Sequence, residues 1–255
     1  MDDAIIKHCE ELSRCNQRGG RMLSVFDLLE AGTLDLDLAA YLMAHISRGA
    51  SFMVGAVPGG AGKTTVMCAL LNFVPADVPL VAATTHVVHQ AEKMKPSHRC
   101  CYICHEIGAG SYFAYLWADA LKSYCRLSEA GHILATNLHA DDLEQARGQV
   151  CSDNDVPIKH FDRFDLLVFL RVDDGYFKAH RWIEQVYAGD GLSEQALVYD
   201  ANDGKGVIEH AVNNPSDLAY ALACRDFLKT MKPNVRTIED TRQHVVQFLR
   251  RNPSP

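Results

Sequence analysis

Lys63, Thr64 and Thr65 close a glycine-rich turn in the stretch Val54-Gly-Ala-Val-Pro-Gly-Gly-Ala-Gly-Lys-Thr-Thr-Val66. The apolar run Phe52-Met53-Val54 leads into the turn, and Val66-Met67-Cys68-Ala69-Leu70-Leu71 leaves it as a helix. Strand, glycine loop, lysine, hydroxyl and helix together make a phosphate cradle. Loop N–H groups and the helix N-terminus point at an anion, the lysine reaches the outer phosphates, and the Thr64 hydroxyl can ligate magnesium. The candidate nucleotide contacts are Pro58, Gly59, Gly60, Ala61, Gly62, Lys63, Thr64 and Thr65. Val57 stands where the strict phosphate-loop pattern has its first glycine.

Phosphoryl transfer also needs charge neutralisation and an oriented nucleophile. Glu106 follows the apolar run Cys100-Cys-Tyr-Ile-Cys-His105, where a carboxylate can hold magnesium's water or polarise the attacking water. In Gly131-His-Ile-Leu-Ala-Thr-Asn-Leu-His139-Ala-Asp-Asp142 a buried strand ends and a histidine precedes a new helix. Strand ends on one edge of a doubly wound sheet converge on the ligand crevice, so His139 can donate to a γ-phosphate and report its presence. His86, His89, His98, Cys100, Cys101, Cys104 and His105 have the types of metal ligands. On a strand, however, Cys101 and Cys104 point to opposite faces and cannot share one ion, so buried structural thiols are the simpler account.

The elements that position these residues can be read in order. The spacing predicts a helix over 4–15, a break at Asn16–Gly20, and a Ser24/Asp27 capping box opening a short helix. A helix over Leu36–Ile46, a strand over 51–57 and the phosphate-loop helix to Phe73 follow. Buried strands are predicted at Leu80–Thr84, Cys100–His105, Gly131–Thr136 and Asp165–Leu170. Between them lie helices at Ser111–Leu127 and Asp141–Val150. Asp173-Asp-Gly175 reads as a hairpin turn with Tyr176–Val186 as its second strand. Strands alternating with helices predict an α/β fold whose mostly parallel sheet is covered on both faces. Residues 192–214 look loop-rich, and Ser216–Thr230 and Thr237–Arg250 read as a helical C-terminal extension. The expected organisation is an N-terminal helix over 1–20, a phosphate-loop domain over 21–191, and the extension over 192–255.

Composition narrows the function classes. The chain has 255 residues, 48% hydrophobic and 22% charged, which suits one large α/β domain. Its formal net charge of −7 disfavours a dedicated nucleic-acid binder. Arg250-Arg251 is a short, solvated basic tail. No apolar run is long enough to span a bilayer, and the start Met1-Asp-Asp-Ala-Ile-Ile-Lys-His is too acidic for a signal peptide. Nine scattered cysteines argue for reduced thiols in a cytosol.

Five segments occur in an order that resembles the secretion-superfamily ATPases, the motors of type II and type IV secretion, type IV pili and tight-adherence pili. They are Arg21-Met-Leu-Ser-Val-Phe-Asp-Leu-Leu-Glu-Ala-Gly-Thr-Leu, the phosphate loop, Cys104-His-Glu-Ile-Gly, Gly131-His-Ile-Leu-Ala-Thr-Asn-Leu-His-Ala and Arg181-Trp-Ile-Glu-Gln-Val. The Gly-His…Thr-x-x-His segment is the most specific of them. The resemblance implies a RecA-like P-loop fold binding ATP and Mg2+. Lys63 and Thr64 would be Walker A residues, Glu106 the Walker B glutamate and His139 the histidine-box residue. It also implies a cytoplasmic homo-oligomer, hexameric in the family. Such a ring hydrolyses ATP to drive pilus subunits or secreted proteins through an inner-membrane platform protein, at the cytoplasmic face of the membrane.

The chain departs from the family pattern at three places. Besides Val57, it carries Thr84, Thr85 and His86 where the family has a catalytic acid, and Ile107-Gly108-Ala109 where an arginine often follows the Walker B glutamate. The family's N-terminal nucleotide-clamping domain is expected to be absent, since only about twenty residues precede the matching region. Two readings follow: a motor-type ATPase, or a nucleotide-binding regulator or assembly component with weak catalysis. Loss of a water-positioning group can cost orders of magnitude in rate while binding survives.

Overall fold

The computed structural model describes residues 2–16, 19–57, 59–94, 97–173, 179–208, 214–231, 235 and 237–253. Eight strands form one sheet: β1 (Phe52–Gly55), β2 (Leu80–Ala82), β3 (Cys101–Ile107), β4 (Tyr115–Leu116), β5 (Ile133–Leu138), β6 (Leu166–Asp173), β7 (His180–Ala188) and β8 (Ala196–Asp200). Their order is β2-β3-β5-β1-β6-β7-β8, with β4 alongside β3. β1 lies parallel between β5 and β6, with Phe52 opposite both Ala135 and Leu166. β7 and β8 continue the sheet antiparallel.

Alternation along the central strands sends side chains to two separate cores. Phe52, Val54, Ala135, Leu166 and Val168 pack on one face; Met53, Leu134, Leu167 and Phe169 pack on the other. The first face is covered by α1 (Asp3–Cys15), α2 (Val25–Glu30), α3 (Leu36–Ile46), α4 (Lys63–Leu71), α9 (Pro215–Thr230) and α10 (Ile238–Arg251). The second is covered by α5 (Thr85–Lys93), α6 (Ala118–Arg126), α7 (Leu143–Arg147) and α8 (Ile158–Phe161). The fold is therefore the expected α/β class, a mostly parallel sheet flanked by helices with a helical C-terminal portion. Cys101 belongs to one core and Cys104 to the other, as the period of a strand requires.

Several elements differ from the sequence reading. The helix predicted over 111–127 begins only at Ala118. Ahead of it Tyr115 and Leu116 form β4, and Ala114 and Ala118 take left-handed backbone angles, φ 54° and 51°. β2 pairs β3 only as far as Ile103, leaving the backbone of His105–Gly108 without a neighbour on that side. The segment supplies one: His105 N–H donates to Ala114 O at 2.8 Å and Gly108 N–H to Leu116 O at 3.1 Å. Sheet satisfaction here overrides helical spacing.

The strand predicted over Leu80–Thr84 ends at Ala82. Thr84 caps α5, its hydroxyl accepting from Val87 N–H. The helix predicted over 141–150 is α7 followed by a wider π turn at Gly148–Ser152. Of the predicted hairpin, Asp174, Gly175 and the first residues of its second strand lie outside the described residues, while Asp173 pairs with His180. The region read as loop-rich holds β8, which pairs with β7.

Candidate functional site

Only glycine fits at position 55. A Cβ there would meet Ala140 O at 2.6 Å and the Phe169 ring at 2.8 Å, so β1 can pass beneath the chain leaving β5. Gly60 and Gly62 hold φ of 93° and 100°, the left-handed region that L side chains rarely adopt. Val57 is not in that region, so a side chain costs no strain there and the missing glycine leaves the turn intact. Instead Val57 N–H donates to Asp141 Oδ1 at 2.7 Å, and Asp141 is paired in turn with Arg171 at 3.4 Å. Pro58 lies outside the described residues.

Lys63 is the first residue of α4, and its side chain runs back under the loop, only 7% exposed. Its ammonium donates to Ala56 O at 3.4 Å, stands 3.4 Å from His139 Nδ1 and 3.7 Å from Glu106 Oε1. His139 Nε2 lies 3.8 Å from the same Glu106 oxygen. The C-terminal ends of β1, β3 and β5 thus bring three of the sequence-predicted residues together, although Glu106 lies inside β3 and not after it. An ammonium only donates, so His139 Nδ1 accepts from it and the ring proton sits on Nε2, facing Glu106.

Burial pushes the Glu106 carboxyl up to about 7, against the opposing pull of the Lys63 charge. Burial, reinforced by Lys63, pulls His139 below the usual imidazole range, so it is neutral at neutral pH. Glu106 Oε1 is buried and makes no hydrogen bond among the described residues. A buried acceptor in that state suits a bound water or metal shell.

Thr64 is held by a residue the sequence reading did not single out. Asn137 Nδ2 reaches Thr64 Oγ1 at 3.4 Å while donating to His105 O at 2.8 Å. Its Oδ1 is also buried without a hydrogen bond. Asn137 lies on β5, two residues before His139, which follows the strand's end, so the period of a strand could have placed it beside the loop. Arg181 was likewise missed: from β7 its Nε donates to Gly60 O at 3.2 Å. Arg181 opens one of the five segments that carry the resemblance, but only the fold brings β7 to the loop and shows what it touches.

Gly59–Thr65, Glu106, His139 and Arg181 line a cleft of about 710 Å³ that extends to Met22 and Leu23, with Asn137 behind its wall. That is an ordinary size for a small-ligand site. Arg21 lines the far wall, fixed by two bonds to Asp27 at 2.9 and 2.7 Å. Among the described lining residues Glu106 is the single carboxylate, and Thr84, Thr85 and His86 are not part of the wall. Cys15 and His105 line it too, and neither figured among the site residues expected.

No protein-family model matches the chain, and no curated protein sequence matches it. Among solved structures it is similar to the VirB11 ATPase of the Brucella suis type IV secretion system, solved in complex with sulphate. The two are 19% identical, with a TM-score of 0.45, and the match covers 64% of this chain and 54% of that one. The chain therefore spans about half the length of that ATPase.

Proposed function

We propose that the chain binds ATP with Mg2+ on Gly59–Thr65 and hydrolyses it. The observation that carries this reading is the convergence of Lys63, His139 and the buried Glu106 carboxyl behind a left-handed glycine loop at a helix N-terminus. Lys63 and the loop amides neutralise phosphate charge. Thr64, oriented by Asn137, and Glu106 fit the donor set of a magnesium ion, which would neutralise further phosphate charge. Glu106 orients and deprotonates the attacking water; a carboxyl near 7 is matched to that task at neutral pH. The neutral His139 offers its Nε2–H to the terminal phosphate. Arg181 contributes a second cation from the same chain.

The larger role proposed is that of a secretion- or pilus-type motor. The chain would assemble as a cytoplasmic homo-oligomer, hexameric by resemblance, and act on an inner-membrane platform protein. The order of the five quoted segments supports it. No described helix is long and apolar enough to cross a membrane.

One observation favours the second reading, a nucleotide-binding regulator. The segment expected to hold a second acid starts α5 and lies outside the cleft wall. The two readings separate when ATP affinity and turnover are measured on one sample. Mg2+-dependent binding that falls at least about tenfold in Lys63→Ala supports the site. Binding without turnover selects the regulator, and no loss of affinity in Lys63→Ala removes both.

A further inference from the structure

The chain leaving β5 and the chain entering the phosphate loop are tied at successive points. Ala56 N–H donates to Leu138 O at 3.4 Å, and Gly55 lies so close to Ala140 O that a Cβ would stand 2.6 Å from it. Beyond both strand ends Asp141 Oδ1 accepts from Val57 N–H at 2.7 Å, a shorter bond than the backbone one. That carboxylate is itself held. Its Oδ2 stands 3.4 Å from Arg171 of β6, and Arg171 is paired with Glu184 of β7 at 2.5 Å. Asp141 N–H donates to Gln145 Oε1 at 3.1 Å, and the next residue, Asp142, caps α7 by accepting from Gln145 N–H at 2.8 Å.

His139 stands two residues before this carboxylate, with its Nδ1 3.4 Å from the Lys63 ammonium. In the ATP-site reading proposed above, on which this inference rests, His139 Nε2–H meets the terminal phosphate and no other part of the nucleotide. The loop amides and Lys63 serve the inner phosphates as well. A hydrogen bond weakens steeply as its distance and angle drift, so the worth of the His139 contact depends on where its turn stands relative to the loop. We infer that Asp141 is a positioning residue: by locking the His139 turn to Val57, it sets how much more tightly the site holds a nucleoside triphosphate than a diphosphate. Removing the carboxylate frees the turn and leaves the loop amides and Lys63 in place, so the diphosphate loses little. Val57 is 43% exposed, and water can satisfy its freed N–H, so the fold survives the change. An asparagine at 141 keeps the accepting oxygen and gives up only the charge facing Arg171, which retains Glu184.

The test measures, on the full chain with Mg2+, the affinities of ADP and of the β,γ-imido analogue of ATP, and takes their ratio. Asp141→Ala is expected to lower the preference for the triphosphate at least about fivefold, chiefly by weakening the ATP analogue. Asp141→Asn is expected to stay within about twofold of wild type. Asp142→Ala is the control on the same turn: it removes the α7 cap and should lower the thermal midpoint with the ratio unchanged. An unchanged ratio in Asp141→Ala, whether or not both affinities fall, overturns the proposal. So does a ratio that falls as far in Asp142→Ala or in Asp141→Asn, or a wild-type chain that holds the two nucleotides equally. Each of those failures leaves wild-type binding, and its loss in Lys63→Ala, intact. A wild-type chain that binds neither nucleotide removes the ATP site and this inference together.

Discussion

Glu106 combines burial with a single nearby ammonium, and its protonation should be measurable before any ligand is added. Its folded value, about 7, is above the ordinary carboxyl value of 4.5. Between those values the folded state holds more protons than the unfolded one. The contribution of this group to stability is thus full below about 4.5 and lost as pH rises through 7. Glu106→Gln removes that loss and should raise the stability of the ligand-free protein by about 1–3 kcal/mol at pH 8, with little change at pH 4.5. Denaturant melts at the two pH values check this; equal effects at both contradict it. Asn137 belongs to the same scale. If it orients Thr64, Asn137→Ala should raise the Mg2+ concentration needed for half-maximal nucleotide binding about tenfold, leaving metal-free binding unchanged. A magnesium titration reads that out, and an unchanged midpoint rejects the positioning role.

At the scale of elements, α4 carries the site at one end and an anchor at the other. Arg242 of α10 is 2% exposed and donates to the carbonyls of Asn72, Val74 and Pro75, just past the C-terminus of α4. A cation at that end complements the helix dipole and satisfies carbonyls that have no helical partner. Arg242→Ala should therefore cost at least ~2 kcal/mol of stability, because several buried acceptors lose their donor together. Arg242→Lys should restore little, since one ammonium cannot span three carbonyls. Thermal melts of both variants decide it, and a melt like wild type for Arg242→Ala would contradict the anchor. Elements also show where sequence reading stops. The glycine loop, β1, β5 and the capping box at Ser24 were legible because each is written in neighbouring residues. The stretch 111–117 carried helical spacing, yet the unpaired edge of β3 claimed it as β4. Asn137 beside Thr64, Arg181 beside Gly60 and Cys15 beside His105 are contacts between distant segments, which no local pattern encodes.

For the whole molecule, the mostly parallel sheet with two helical layers was legible from the alternation of strands and helices. The antiparallel edge β7–β8 was only half legible, because β8 (Ala-Leu-Val-Tyr-Asp) is a short, half-exposed run set among glycine- and asparagine-rich residues. The sheet order sets β5 between β1 and β3, so Lys63 and Glu106 meet across an intervening strand that supplies Asn137 and, just past its end, His139. If the chain works as a ring, mass by light scattering should increase several-fold on adding Mg2+ and a non-hydrolysable ATP analogue. An unchanged mass across the accessible concentrations would remove the assembly from the account and leave the site. The central claim is turnover at one lysine and one glutamate. Phosphate release by the wild-type chain, Lys63→Ala and Glu106→Gln tests it most directly. The account predicts Mg2+-dependent release by wild type and a loss of at least about a hundredfold in each variant. Equal rates in all three would contradict it.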